Sequence, residues 1–280
     1  DQTKWTAAAR TLQARIRLNW AEVDGINAYQ EALAYAEQGI SEPSGSDDWR
    51  PLHRAGNNDE ESIWHQFFNE NFNDIMAHGG AGLLLVDMLK KDQDGRLPIY
   101  FSQSVYNSGD HSAFNDSIVG TAPYDTLPPP YPSHLNQDTF GAEDWGVQWV
   151  SWHENQFIKM ECQYKLGQES NAQNTLNNTL SAMENNWQET EPLCVLPRYE
   201  NINSEDLFAA IMNEKYKTMF LNMQALSDWR RTGYPVFLDG SGNSTECISG
   251  TPRRLPYSDL EKSANPNAPT GDSIYDRVQN

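Results

Sequence analysis

The sequence predicts a mostly α fold, a tetratricopeptide-like scaffold of helical hairpins that carries one large, irregular, loop-rich insertion. Two observations predict it. Pairs of amphipathic segments joined by short breaks occur at the start of the chain and again from residue 149, and a long stretch rich in proline, glycine and aromatic residues separates them. Stacked hairpins of this kind form an α-α superhelix, and an insertion between two repeats becomes a grafted loop region.

The first hairpin is predicted from apolar residues that recur at spacings of three and four. Residues 3–20 form a helix whose buried face should hold Trp5, Ala8, Leu12, Ile16 and Trp20. After a break at Asp24-Gly25, residues 27–38 form the partner helix, and Gly39 is well placed to end it.

The second hairpin is predicted at residues 149–166 and 169–187, with Gly167 at its turn. Residues 207–229 follow as one long helix with an apolar face that extends to Met223. From Gly233 onward the chain is rich in proline and glycine, and we expect it to be irregular. We therefore divide the chain into a hairpin, a loop-rich insertion, further scaffold helices and an irregular end, at residues 1–40, 41–148, 149–232 and 233–280.

Charge and composition narrow the ligand class. The formal net charge is −19, which repels nucleic acid and anionic lipid, and no basic stripe offsets it. Aromatic residues make up 11% of the chain, including nine Trp and twelve Tyr, and amides are frequent. Sugars pack their C–H faces on aromatic rings and need hydrogen bonds for their hydroxyls, so this composition suits carbohydrate binding.

Catalytic and metal-binding motifs are missing from the sequence. No nucleophile elbow, zinc-binding His pair, phosphate-binding loop or dinucleotide-binding glycine motif occurs, and we expect no cofactor and no metal. The turn Asp92–Gly95 resembles part of a calcium loop but lacks its closing acidic residue. Cys162 is expected in the core, while Cys194 and Cys247 lie in loop-like sequence, where pairing remains open.

Two segments near the C-terminal end carry a family resemblance. The first runs from Asp228 to Pro235 and reads Asp-Trp-Arg-Arg-Thr-Gly-Tyr-Pro, and the second runs from Pro252 to Tyr257 and reads Pro-Arg-Arg-Leu-Pro-Tyr. Both resemble motifs of the SusD/RagB family, although Ser258 stands where that family usually has proline. Residues 5–17, 83–101 and 151–167 resemble further family segments in the same order, so the resemblance covers nearly the whole chain.

The resemblance implies a role and a cellular address. Members of the SusD/RagB family are glycan- or nutrient-capturing lipoproteins on the extracellular face of the outer membrane, where they partner a SusC-like TonB-dependent transporter. It also implies that the family's N-terminal part, with the lipid-bearing cysteine, is absent from these residues. We therefore expect a binding protein, not an enzyme, whose ligand is an oligosaccharide or a starch-like polysaccharide.

The resemblance places the ligand site on an aromatic platform of the insertion. The expected stacking residues are Trp49, Tyr106, Tyr124 and Tyr131, and the expected hydrogen-bonding residues are Asn107, Asn115 and Asp125. The paired arginines of the two motifs are expected to bind carboxylates inside the fold instead of the ligand.

Two other functions remain open at this point. A peptide-binding member of the same family is one, because the acidic charge favours cationic peptides. A helical glycoside hydrolase is the other, since Asp144, Glu154 and Glu161 could hide a catalytic pair. For Glu154 and Glu161 we favour a structural role, with both carboxylates on one helical face and bonded to arginine or backbone.

Overall fold

A computed structural model describes residues 1–57, 59–67, 81–103, 118–120, 133–236 and 257–268. Within these ranges the protein is mostly helical, as predicted, and its β-type pairing is limited to two isolated bridges. None of the helices in this part of the chain is both long and apolar enough to cross a membrane. The helical segments are α1 (Gln2–Asn19), α2 (Ala21–Asp24), α3 (Ile26–Ala36), α4 (Ile63–His65), α5 (Leu83–Lys91), α6 (Leu97–Tyr100), α7 (Trp152–Lys165), α8 (Glu169–Trp187), α9 (Ser204–Thr218), α10 (Gln224–Thr232) and α11 (Asp259–Ala264).

The predicted hairpins are confirmed. Helix α1 packs on α3, and α7 packs on α8, whose predicted bounds match the structure. The central helix is α7, which contacts α1, α3, α8 and α9. Gly167 ends the α7 turn with a φ of 75°, a left-handed conformation that glycine adopts without steric cost.

Small residues let three helices approach closely. Ala14 on α1 and Ala28, Ala32 and Ala36 on α3 are all at most 1% exposed, in the same apolar cluster as Ile158 and Cys162 of α7. Close packing of alanine faces maximises dispersion contacts between the backbones. Cys162 is thus a core thiol, as expected.

A group of buried hydrogen bonds holds the chain where it leaves α3. The Asn155 side chain donates to the carbonyls of Ala36 and Ile40, both at 2.9 Å, and the Ile40 N–H donates to Thr11 Oγ1 at 3.0 Å. A Cβ at Gly39 would lie 2.4 Å from the Asn155 amide oxygen and 2.5 Å from Thr11 Oγ1. Only glycine fits this position, so the predicted helix stop is also a packing requirement.

The predicted buried face of α1 is wrong at three positions. Trp5, Ile16 and Trp20 are 61%, 52% and 55% exposed. Ala8 is buried as predicted, and the other buried positions of the helix are Thr11, Ala14 and Leu18. The reason is the partner: α3 offers a face of alanines, which packs against small residues and leaves the bulky ones outside.

The long helix predicted over residues 207–229 is two helices. Helix α9 ends at Thr218 and α10 begins at Gln224, because Leu221 has a φ of 61°, which a right-handed helix cannot contain. Asn222 then accepts a hydrogen bond from the Gln224 N–H at 2.9 Å. Met223, predicted to be buried, is 81% exposed as a result of this break.

Two further boundaries differ from the prediction. Helix α7 begins at Trp152 instead of Trp149, because Ser151 caps it by accepting from the Glu154 N–H at 3.2 Å. The region after Gly233, predicted to be irregular, contains the short helix α11, which Ser258 caps through the Glu261 N–H at 3.1 Å.

Ion pairs inside the scaffold account for Glu154 and Glu161, which lie seven residues apart on α7. Both glutamates are fully buried. Glu154 is bound by the Arg15 guanidinium of α1. Glu161 is bound by Arg231 of α10, with Arg231 Nη2 2.8 Å from Glu161 Oε2 and 2.8 Å from Asp228 Oδ1. The structural role favoured for both carboxylates is therefore confirmed, as is the internal pairing of Arg231.

The turn Asp92–Gly95 belongs to a second buried ion cluster. The Asp94 carboxylate accepts from the Arg96 Nε at 2.8 Å and lies 3.2 Å from the Lys217 ammonium. Arg96 also pairs with Glu214, and all four side chains have no solvent exposure. Asp94, which belongs to the turn that resembles a calcium loop, thus pairs with the internal cations Arg96 and Lys217.

We expect Arg231→Met to destabilise the fold strongly. The change leaves Glu161 and Asp228 buried without their shared guanidinium, and removing one partner of a buried ion pair costs roughly 3–5 kcal/mol. Urea unfolding followed by circular dichroism measures the loss. The matched control is Arg54→Met, whose partner Glu60 is 3.4 Å away on an exposed surface. It should cost less than about 1 kcal/mol, and equal losses in the two variants would contradict the assigned role of Arg231.

Candidate functional site

Three tryptophans from distant parts of the chain meet on the surface beside α1. We call Trp5, Trp49 and Trp149 the tryptophan cluster. The ring centroids of Trp5 and Trp49 are 6.0 Å apart at an interplanar angle of 55°, and those of Trp49 and Trp149 are 5.1 Å apart at 89°. Trp5 and Trp149 are 61% and 51% exposed, while Trp49 is half-buried between them. Edge-to-face contacts of this kind hold aromatic rings in fixed orientations.

Short backbone contacts position the three rings. Trp5 lies at the end of the first turn of α1, where Lys4 beside it donates to the Ser46 carbonyl at 2.9 Å and pairs with Asp47 at 2.8 Å. Trp49 forms an antiparallel bridge with Val150, through its N–H at 2.9 Å. The Trp149 N–H in turn donates to the Trp49 carbonyl at 3.0 Å.

Arg15 connects the cluster to the interior. Its guanidinium donates both to the buried carboxylate of Glu154 and to the Trp149 carbonyl. Burial raises the pKa of Glu154, although Arg15 opposes this effect. Because both Glu154 oxygens accept from Arg15, this carboxylate cannot reach a ligand at the surface.

Asp48 fastens the loop that carries Trp49 to the start of α7. Its Oδ1 accepts from the Trp152 N–H at 2.7 Å, whereas its Oδ2 is buried without a hydrogen-bond donor. Burial raises the pKa of Asp48 to about 7, and the charges of Asp47 and Glu154 act in the same direction. The Trp152 N–H and Arg50 oppose the shift only partly.

The tryptophan cluster is suited to binding a ligand. Exposed indole faces present apolar area to the C–H faces of a sugar, and the exposed Lys4 and Arg50, next in sequence to Trp5 and Trp49, carry hydrogen-bond donors. The nearby acids Asp48 and Glu154 are both held by protein donors. Within the described ranges, no group of three or more His, Cys, Asp or Glu side chains is arranged to hold a metal ion.

Only one of the predicted site residues can be located. Trp49 lies in the tryptophan cluster, and the remaining predicted residues fall outside the described residues: Tyr106, Asn107, Asn115, Tyr124, Asp125 and Tyr131. Trp5 and Trp149 were missed. Trp5 fitted a helical period and was assigned to the core, and positions 5, 49 and 149 share no spacing that the sequence could reveal.

The comparisons with known proteins establish the family. The family model SusD-like_2, described as starch-binding associating with outer membrane, matches residues 1–258. The chain therefore belongs to this SusD-like family, and the resemblance found in the sequence is confirmed. A comparison with curated proteins gives no match.

Solved structures of low sequence identity share the fold. A SusD homologue from Bacteroides fragilis is 18% identical, with a TM-score of 0.68 over 95% of this chain and 62% of its own. A chitin-binding protein is 20% identical, with a TM-score of 0.68 over 95% and 60%. A SusD-like protein from Bacteroides thetaiotaomicron is 17% identical, with a TM-score of 0.70 over 95% and 60%.

The likeness confirms the tetratricopeptide-like helical fold that the sequence predicts. The chain spans 60–62% of the length of these three structures.

We expect the stability of the loop around Asp48 to depend on pH. The folded state disfavours the ionised carboxylate, so the wild type gains stability as the pH falls from about 7 towards the ordinary carboxyl value. Asp48→Asn stays neutral and lacks this gain. The Tm of the variant minus that of the wild type should therefore be larger near pH ~8 than near pH ~5, measured by scanning calorimetry. The exposed control Asp138→Asn should give the same difference at both pH values, and a constant difference for Asp48→Asn would refute the assignment.

Proposed function

We propose that this protein binds glycans at the cell surface and holds them without cleaving them. The observation that carries the proposal is the tryptophan cluster, because exposed tryptophans held in fixed orientations form a surface on which a sugar ring packs at little entropic cost. The family description, starch-binding associating with outer membrane, supports the same ligand class. So does the chitin-binding protein among the similar structures.

The ligand would be an oligosaccharide or a starch-like polysaccharide, captured on the extracellular face of the outer membrane. A SusC-like TonB-dependent transporter would take it up, and a lipid anchor outside these residues would attach the protein to the membrane. The net charge of −19 supports a partner other than nucleic acid or an anionic lipid surface.

Binding without turnover is supported by the state of the carboxylates. Glycoside hydrolysis needs two carboxyl groups that flank the scissile bond. Glu154 and Glu161 are fully buried and bound to arginines, and Asp48 is fastened to the start of α7. Of the three acids that the sequence offers for a catalytic pair, Glu154 and Glu161 are thus committed inside the fold and Asp144 alone is exposed, so these three do not supply two free carboxyl groups.

The insertion would contribute the rest of the site. We propose residues 41–148 as the ligand-binding region and residues 1–40 and 149–232 as scaffold, with residues 233–280 as a C-terminal segment. Trp49 belongs to both the predicted site and the tryptophan cluster. Tyr106, Tyr124 and Tyr131 for stacking, and Asn107, Asn115 and Asp125 for hydrogen bonds, remain proposed ligand residues.

We expect Trp149→Ala to weaken glycan binding. An aromatic contact contributes roughly 0.5–1.5 kcal/mol beyond area burial, which corresponds to a loss of about two- to twelvefold in affinity. A glycan array identifies the ligand, and titration calorimetry of wild type and variant then measures the ratio. The control is Trp20→Ala, which removes an equally exposed tryptophan, 55% against 51%, outside the cluster.

Three outcomes separate the candidate functions. Loss with Trp149→Ala but not with Trp20→Ala supports the site. Binding of cationic peptides but of no glycan would replace the proposal with the peptide-binding alternative. Release of shorter sugars from a labelled polysaccharide would contradict binding without turnover.

A further inference from the structure

An ion pair between Lys4 and Asp47 joins two of the three chain segments that carry the tryptophan cluster. Lys4 directly precedes Trp5 on α1, and Asp47 lies two residues before Trp49. Lys4 Nζ lies 2.8 Å from Asp47 Oδ1 and donates to the Ser46 carbonyl at 2.9 Å. One ammonium group thus connects the first turn of α1 to the stretch of chain that leads into Trp49.

The two acceptors of Lys4 belong to a turn that local hydrogen bonds fold. The Asp48 N–H donates to the Gly45 carbonyl at 3.2 Å, and the Ser46 hydroxyl donates to Asp47 Oδ1 at 3.1 Å. Gly45 has a φ of 74°, a left-handed conformation that glycine adopts without steric cost. Because the turn is ordered by its own contacts, it presents the Ser46 carbonyl and the Asp47 carboxylate to Lys4 in a defined arrangement.

The three tryptophans are held in different ways. Backbone hydrogen bonds join Trp49 to Trp149 and to Val150, at 3.0 Å and 2.9 Å. Trp5 is joined to Trp49 through side chains, by the ring contact of 6.0 Å and by the neighbouring Lys4. Trp5 also lies in the first turn of a helix, where helices fray because the first N–H groups lack intrahelical acceptors. The orientation of Trp5 therefore depends on its side-chain contacts more than that of Trp49 does.

The ion pair is accessible to water, with side-chain exposures of 45% for Lys4 and 27% for Asp47. The hydrogen bond from Lys4 holds the pKa of Asp47 below its ordinary value, so both partners are charged at neutral pH. Exposed ion pairs contribute little to the stability of a fold and are weakened by salt. Breaking this pair should therefore leave the scaffold intact and change only the contact between α1 and the turn.

We propose that Lys4 is a positioning residue of the glycan site, which fixes the Trp5 indole against Trp49 through its bonds to Ser46 and Asp47. This inference rests on the proposed glycan-binding function and adds a form of regulation to it. A ring that is free to reorient loses conformational entropy when a sugar packs on it, so the affinity falls when the ion pair is broken. Salt screens the pair, and the affinity for a sugar without charge therefore depends on ionic strength.

The test is titration calorimetry with two uncharged probes, maltoheptaose and the hexamer of N-acetylglucosamine, from about 0.01 M to about 1 M NaCl. Over this range the Debye length falls from about 30 Å to about 3 Å. The wild type should bind whichever probe it accepts roughly two- to fivefold more tightly at the lowest salt concentration than at the highest. Lys4→Met should show the weaker affinity throughout, and Lys4→Arg, which keeps the charge, should restore the salt dependence.

The matched control is Lys262→Met on α11. It removes a lysine of similar exposure, 48% against 45%, that pairs with Asp259 at 3.7 Å. This variant should bind the probes as the wild type does at every salt concentration. An equal loss of salt dependence in the two methionine variants would contradict a specific role of Lys4.

Asp47→Asn separates positioning from a direct contact between Lys4 and the sugar. If Lys4 acts through the turn, Asp47→Asn should weaken binding and remove its salt dependence, as Lys4→Met does. The double variant should then bind no more weakly than either single variant, because the two changes break one interaction. A loss with Lys4→Met but not with Asp47→Asn would mean that the ammonium binds the sugar itself, and it would overturn the positioning role.

Circular dichroism without ligand tests the position of Trp5 independently of glycan binding. Indole rings in contact produce an exciton couplet, and the part of the couplet that Trp5→Phe removes belongs to Trp5. Lys4→Met should reduce this part at an unchanged Tm, and Lys262→Met should keep it. An unchanged couplet in Lys4→Met overturns the positioning role and leaves glycan binding at the cluster intact. If the couplet falls but neither probe binds the wild type, the proposed function fails for these two glycan classes, and Lys4 is then only a structural residue.

Discussion

Two carboxylates buried on α7 set the requirement that organises this structure. Glu154 and Glu161 lie seven residues apart on one face of the central helix, and neither contacts solvent. A buried carboxylate must find a cation, because losing its hydration costs several kcal/mol. Arg15 from α1 and Arg231 from α10 supply the cations, so the ion pairs dictate where both helices lie against α7. Burial alone would raise the pKa of Glu161, but Arg231 and Lys215 outweigh it and hold that pKa below its ordinary value.

The same ion pair reaches from the scaffold to the surface. Arg15 also donates from Nη2 to the Trp149 carbonyl, and Asp48 holds the start of α7 through the Trp152 N–H. The tryptophan cluster is therefore attached to the central helix α7, although Trp149 lies just before that helix, Trp49 in the loop after α3 and Trp5 on α1. A site fixed in this way loses little conformational entropy when a ligand binds, since the rings are ordered beforehand.

Sequence reasoning succeeded where a local pattern decides the structure. The bounds of α8 follow from apolar spacing and from Gly167, and the pairing of Arg231 with acids follows from the charge balance of a buried motif. Sequence reasoning failed where contacts with another part of the chain determine the structure. The exposed face of α1 depends on the alanines of α3, and the break after Thr218 depends on the left-handed conformation of Leu221. The tryptophan cluster could not be predicted from spacing, because tertiary contacts alone bring Trp5, Trp49 and Trp149 together.

The exposure of these tryptophans is itself an argument for binding. Single exposed apolar side chains are common on protein surfaces, but contiguous ones mark interaction sites. Trp20 is as exposed as Trp149, yet it has no ring contact within the described residues, whereas Trp149 packs its ring edge-to-face with Trp49. Rings that contact one another and still remain exposed keep apolar surface in water without completing a hydrophobic core. Physical complementarity to a flat, partly apolar ligand accounts for both properties, and a sugar ring, with apolar faces and hydrogen-bonding edges, is a ligand of this kind.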